Sequence, residues 1–183
     1  MKKGTNFKDW LFVASLAREL PFDLTRMERP FKVGKVETPE DLNGLTIGQL
    51  LELSEIRGGE ELFFSTCRIV LGMTEEEICQ AEAVEVVAFS GWVSREVRKI
   101  NNLFERINTK PTSREIKAGI KNLQFGVFGL IDWYAQRMRI TDHHEVEKVS
   151  WLIVYKCLEI DTKRNIYRRK LEEVIQNEHR GKH

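Results

Sequence analysis

Residues 74–107 constrain the fold of this chain more than any other stretch. Thr74-Glu75-Glu76-Glu77 reads as a helix start. In such a capping box the threonine hydroxyl accepts from the third helical N–H, and the Glu77 carboxylate reaches back to the N–H of the cap. The three glutamates also stand at the positive end of the helix dipole. Ile78, Cys79, Ala83, Val86, Val87, Phe89, Trp92, Val93, Val97, Ile100, Leu103, Phe104 and Ile107 follow at mostly helical spacing, with Arg95, Glu96, Arg98 and Lys99 largely on the other face. A turn near residues 81–84 is expected to divide the run into a short and a long helix. The pattern describes a packed helical module, and it carries no catalytic signature.

Elsewhere the same periodicity recurs between clear breaks. Phe7, Trp10, Leu11, Ala14, Leu16, Ala17 and Leu20 predict a first helix, capped by Thr5 or Asn6 and stopped by Pro21. Pro30, Gly34, Pro39 and Gly44 mark residues 22–45 as the irregular part, where the alternation Phe31-Lys32-Val33-Gly34-Lys35-Val36 predicts a short strand. Thr46 caps a helix carrying Ile47, Leu50, Leu51 and Leu53. Gly58-Gly59 separates it from one carrying Leu62, Phe63, Ile69, Val70 and Leu71, which Gly72 ends. Asn108-Thr109-Lys110-Pro111 disfavours helix and is the expected boundary, with Thr112 or Ser113 restarting a short helix over residues 113–120. Residues 125–134 form an apolar block expected in the core, its two glycines allowing close helix packing. Residues 142–158 and then 162–178 read as further helices, the last with Ile166, Tyr167, Leu171, Val174 and Ile175 as its apolar stripe. The expected architecture is mainly α, a multi-helix bundle with a short irregular or β-containing segment near residues 22–45. An N-terminal lobe, 1–108, and a C-terminal lobe, 109–183, are expected to pack as one unit.

Charge and cysteine content narrow the function. With 29 basic and 28 acidic residues in 183, the net charge is +1, so the long-range field that drives general nucleic-acid or membrane binding is missing. A partner has to be held by shape or by a local patch. Cys67, Cys79 and Cys157 form no CxxC pair and sit among apolar residues, which points to reduced thiols. No stretch approaches the roughly 20 continuous apolar residues of a membrane span. Asp9, Arg18 and Glu19 interrupt the N-terminal segment where a signal peptide would be apolar. A cytoplasmic location is expected.

Several residues invite sharper readings, each with a plainer competitor. His143 and Glu147 lie one helical turn apart, a spacing at which imidazole and carboxylate can meet one ion. No third ligand accompanies them, and an Asp142-capped helix start with solvated histidines is preferred; no metal or other cofactor is expected. Asp132 is a carboxylate amid Gly129, Leu130, Trp133 and Tyr134, so desolvation can make it a general acid. A hydrogen-bonded structural role is preferred, because no second acid or nucleophile points at it. Ser65-Thr66-Cys67 offers nucleophiles without a base. Lys163, Arg164, Arg168, Arg169 and Lys170 form the one dense basic cluster, near Tyr155 and Tyr167 for stacking on a nucleic acid, but Glu172, Glu173 and Glu178 dilute it. A helix-turn-helix over residues 74–98 is disfavoured, since its second helix is too apolar for a DNA groove. Trp10, Trp92, Trp133 and Trp151 suit a core, and equally an interface.

Three segments carry a family resemblance. They are Leu45-Thr46-Ile47-Gly48-Gln49-Leu50-Leu51-Glu52-Leu53, then Cys67-Arg68-Ile69-Val70-Leu71-Gly72-Met73-Thr74-Glu75-Glu76-Glu77-Ile78, then Val84-Glu85-Val86-Val87-Ala88-Phe89. In order and character they resemble the tail assembly chaperones of long-tailed bacteriophages. Residues 125–138 and 151–158 are similar to small prophage proteins of Bacteroides-type bacteria, although residues 133–158 have no counterpart in the tail chaperones. The resemblance implies a helical, non-enzymatic protein of the host cytoplasm that coats a tape-measure-like helical client and recruits tail-tube subunits. It also implies a longer frameshifted form, for which Gly181-Lys182 marks candidate slippery codons.

Such work needs an exposed apolar groove for an amphipathic helix and self-association into a homo-oligomer to cover a long client. Phe63, Phe64, Phe89, Trp92 and Val93 are the candidate client-binding residues, with burial in the core as the competing reading. The expected function is thus a tail assembly chaperone or related virion-assembly factor. The alternatives are a small DNA-binding regulator or DNA-packaging accessory using residues 163–170, and then an enzyme using Asp132.

Overall fold

Side chains that satisfy the unpaired N–H groups at helix starts open five of the described helices, at Asn6, Thr46, Thr74, Thr112 and Asp142. The structure, a computed structural model, describes residues 4–16, 27–107, 111–123 and 125–180. Helix α1 spans Phe7–Leu16, and Asn6 caps it by accepting from the Asp9 N–H at 2.8 Å. Pro21, expected to stop this helix, lies outside the described residues, as do the expected break at 108–110 and Gly181-Lys182. Strands β1 (Lys32–Val33) and β2 (Val36–Glu37) pair antiparallel, Val33 opposite Val36, so the predicted strand is a tight hairpin.

Three capping boxes of one kind follow. Thr46 with Gln49 opens α2 (Ile47–Glu55), Thr74 with Glu77 opens α4 (Glu75–Gln80), and Thr112 with Glu115 opens α6 (Ser113–Lys117). Between the first two lies α3 (Glu60–Leu71), entered through Gly59 and ended at Gly72. Gly72 has φ 66°, a left-handed conformation that lets its N–H close on the carbonyls of Cys67 and Arg68.

Helix α5 (Ala83–Ile107) is the axis of the bundle. Val86, Val87, Phe89, Ser90, Gly91, Trp92 and Val93 are all buried, and a run that close covers every side of a helix. Helices α1, α2, α3 and α9 and strand β1 all pack on it. Against α3 the contact includes a buried hydroxyl pair: Thr66 donates to the Leu62 carbonyl and accepts from Ser90 at 2.7 Å. Phe7 and Trp10 bring α1 onto α3, their rings 5.5 Å from each other and each 5.5 Å from that of Phe63.

The irregular segment is held to α5 by side chains. Glu85 accepts from the Gly34 N–H at 2.8 Å, and the Arg95 guanidinium donates to the Met27 carbonyl. Arg29 donates to Thr38 and Pro39, and the buried Thr38 hydroxyl bonds the carbonyls of Pro30 and Phe31.

A short 3-10 turn (Ile120–Asn122) leads to α7 (Gly126–Met138), then α8 (His143–Glu147) and α9 (Trp151–Arg180). The predicted helix over 142–158 is therefore two helices, split between Glu147 and Trp151. The expected break between residues 158 and 162 is absent, because no Gly or Pro occurs between residues 151 and 180 to interrupt the helix. Two backbone bonds join the start of α2 to the α8–α9 junction: Ile47 N–H to Val149 O at 2.7 Å and Trp151 N–H to Leu45 O at 3.3 Å. Gly48 leaves room for this approach, since a Cβ there would stand 3.0 Å from the Glu147 carbonyl oxygen. The buried Trp151 ring N–H completes the joint by donating to Leu42 O at 2.8 Å.

Hydrogen bonds from the Thr74 backbone and hydroxyl hold the Glu77 carboxyl below its ordinary value. A lowered folded-state value means that this stabilisation is complete above the unfolded carboxylate range and lost as pH falls through the folded value. Thr74→Ala should therefore lower the urea midpoint at neutral pH, and the difference from the parent chain should shrink in acid. Phe89→Ala, which empties the centre of the bundle, should cost about 3–5 kcal/mol in the same measurement.

Candidate functional site

Helix α5 settles the position of the residues expected to line a client groove. Phe63, Phe89, Trp92 and Val93 are buried, Trp92 only 7% exposed, and Phe64 is partly buried against them. Phe63 and Phe64 are in ring contact with Phe7 of α1, and Phe89 lies 5.7 Å from Trp92. This is the reading of burial in the core: these residues hold α1, α3 and α5 together, and Phe64 keeps part of its surface exposed. The apolar stripe on α5 that suggested a groove is the side covered by the chain itself.

The exposed apolar surface lies elsewhere. Residues 125–134, expected in the core, divide: Ile131 and Tyr134 are buried, whereas Phe125 is 69% and Phe128 63% exposed, with Leu123 and Val127 also exposed. Consecutive apolar residues wound at 3.6 per turn point to every side, and α7 covers only one side of itself. Between α5, α7 and α9 an open groove of about 690 Å³ is lined by Phe104, Leu123, Phe125, Leu130, Trp133 and Leu158, with Gly126 and Gly129 in its wall.

Two glycines shape that wall. Gly126 has φ 57°, which turns the chain into α7 directly after Phe125. A Cβ at Gly129 would come within 2.5 Å of the Phe125 Cβ. The glycine thus serves the seating of Phe125 over the first turn of its own helix; the expected packing of another helix against it is not its reason. An Arg137 to Asp161 ion pair at 3.5 Å ties the other end of α7 to α9.

Behind the groove the polar candidates form a small cluster. Asp132 accepts from the Gln136 amide at 2.6 Å and faces His143 Nε2 at 3.1 Å, while the His143 ring stacks on Phe128 with centroids 5.1 Å apart. Asp132 is thus the hydrogen-bonded structural carboxylate. His143 is half-buried against it, where a solvated histidine was expected; only His144 is fully exposed. Asp142 caps α8 as expected, through the His144 N–H at 2.9 Å. Glu147 pairs with His144 at 3.3 Å, so His143 and Glu147 turn to different partners. Among the described residues no group of three or more His, Cys, Asp or Glu side chains is placed to hold a metal ion.

Cys67 is a buried thiol pushed up to about 12 by desolvation, which leaves it protonated and unreactive at neutral pH. All three cysteines are free. Of the basic stretch, Lys163 pairs with Glu159 at 2.9 Å, Arg164 with Asp161 at 3.7 Å and Arg169 with Glu115 of α6 at 2.7 Å, while Arg168 and Lys170 are exposed. Tyr155 packs on Phe104 and Trp151 and is separated in role from the exposed Tyr167. Among the described residues no helix is long and apolar enough to cross a membrane.

Comparison with protein-family models, with curated proteins and with solved structures gives no match. The groove residues were hidden in the sequence because an apolar run reads as core. The signal that could have marked them is the pair Gly126 and Gly129 beside Phe125, three residues whose side chains cannot make a closed helix face. Gly129→Ala should lower stability by about 1–3 kcal/mol through the clash with Phe125, although alanine is the better helix former. Thermal melts of the two chains check the sign.

Proposed function

We propose that this chain is a non-enzymatic assembly factor that holds an apolar segment of a helical protein client in the groove between α5, α7 and α9. The observation that carries this reading is the exposure of Leu123 and Phe125 at the edge of a groove lined by Phe104, Leu130, Trp133 and Leu158. Apolar side chains grouped around a concave surface gain from covering by a partner, and an amphipathic helix supplies anchors one turn apart to enter such a groove.

The resemblance of residues 45–53, 67–78 and 84–89 to tail assembly chaperones of long-tailed bacteriophages agrees with this reading and makes it more specific. The client is then a tape-measure-like helical protein, and tail-tube subunits are recruited to it in the host cytoplasm. The same motifs form α2, the α3–α4 turn and the start of α5, whereas the groove meets α5 at Phe104, near its other end. The basic stretch at residues 163–170 supports nucleic-acid binding less well, since Lys163, Arg164 and Arg169 already face carboxylates.

The test is co-expression of the tagged chain with a helical tape-measure-like protein, followed by pull-down at low and high salt. Apolar groove binding survives high salt, whereas phosphate contacts weaken steeply. Leu123→Asp should cut capture by roughly tenfold or more, about what removing one apolar anchor costs, with an unchanged far-UV circular dichroism spectrum. Trp92→Glu should instead unfold the chain. Recovery of nucleic acid alone, lost at high salt, would overturn the reading in favour of a DNA-binding role for residues 163–170.

A further inference from the structure

Helix α9 has two apolar sides, and the protein covers only one. At about 100° per residue, Trp151, Tyr155, Leu158 and Arg169 fall on one side of α9. That side meets the bundle: Trp151 is buried, Tyr155 and Leu158 are partly buried, and Arg169 reaches Glu115 of α6. Ile153, Ile160, Tyr167, Leu171 and Val174 lie on the opposite side within about 60° of one line, and every one is exposed, Tyr167 by 67%. From Lys163 onward no described side chain of α9 is buried. A helical segment of that length standing alone in water is marginal, so an uncovered stripe along it is a cost that a partner helix relieves.

The charges on the stripe select the partner. Arg164 and Glu178 both sit within about 20° of Leu171 on the wheel, each seven residues from it, one on either side. Five basic residues occupy positions 163–170, and three acidic ones, Glu172, Glu173 and Glu178, occupy positions 172–178. We infer that residues 162–180 of α9 pair antiparallel with the same residues of a second copy of this chain, about a twofold axis at Leu171, a contact that covers Tyr167, Leu171 and Val174 and leaves Ile153 and Ile160 outside it. In that arrangement Arg164, whose 3.7 Å pair with Asp161 of its own helix is long and exposed, faces Glu178 of the other copy, twice over, and the basic half of each helix lies along the acidic half of its mate. Tyr167 falls opposite the second copy's Ile175. A parallel pair would instead set Arg164 on Arg164 and Glu178 on Glu178, which repel. This surface is on the far side of α9 from α5 and α6, and the inference does not depend on what the groove holds.

Sedimentation of the full chain tests it. The parent should run as a dimer at about 100 μM chain and shift toward the monomer on dilution. Arg164→Glu and Glu178→Arg should each weaken the dimer by about tenfold or more, since each puts like charges together at two symmetry-related places. The double variant R164E/E178R should recover the parent's affinity, because reversed charges again face each other only in the antiparallel arrangement. Leu171→Glu should abolish the dimer with the helical spectrum of the bundle retained. A parent chain that stays monomeric over this range, single variants that dimerise as tightly as the parent, or a double variant no tighter than the singles would each overturn the inference. Leu123→Asp serves as the separating control: it should lose client capture and leave the sedimenting mass unchanged, so failure of the groove reading and failure of the dimer are told apart.

Discussion

Everything else in this structure depends on covering the first half of α5. Seven buried residues between Val86 and Val93 leave that part of the helix without a solvent face. A helix apolar all round is stable in water only when neighbours surround it. Along α5 the chain supplies α1, α2, α3, β1 and α9 as these neighbours, the last meeting Phe104 in its second half. Trp92 and Phe89 are therefore committed to holding the bundle together, and any surface used for a partner has to lie outside this shell.

Polar groups decide how the shell closes. Pro and Gly keep much of residues 27–45 from regular structure, and the segment would drift from α5 if apolar contact were its sole tether. Glu85 and Arg95, one toward each end of the buried part of α5, anchor it by backbone groups at Gly34 and Met27. The Thr66–Ser90 pair does similar work inside, since each hydroxyl would carry a desolvation penalty alone and together they are satisfied. At the opposite end, the reciprocal bonds of Ile47 and Trp151 with Val149 and Leu45 give two helix starts the partners they otherwise lack.

Outside the shell the balance changes. Helix α7 is anchored through Ile131, Tyr134 and Ala135, and α9 through Trp151 and Val154, yet both also carry exposed apolar residues, Val127 and Phe128 on α7 and Ile153, Tyr167 and Leu171 on α9. The groove beside α7 and the stripe along α9 have the same origin: among the described residues, each helix is buried along one side only.

How much of this was legible depends on the range of the interaction concerned. The capping box at Thr74, the cap at Thr46, a restart at Thr112 or Ser113, the Gly72 stop and the division between α4 and α5 were readable because each rests on residues within one helical turn. The mainly helical class followed from apolar spacing for the same reason. The unbroken course of α9 could also have been read, from the lack of Gly and Pro after Trp151. Exposure was a different matter. Apart from the glycines beside Phe125, little local distinguishes it from Phe89, and both sit in apolar runs; Phe89 is enclosed because five elements converge on α5, whereas the neighbours of α7 leave Phe125 69% exposed. The partners of His143 and Asp132 were likewise beyond sequence, since the turn after α7 brings them together. By itself, then, the sequence determined where helices begin and end, which is short-range hydrogen bonding and steric preference. Only the tertiary structure decided which apolar faces are buried inside and which stay exposed, because burial depends on the whole set of neighbours that packing brings to each helix.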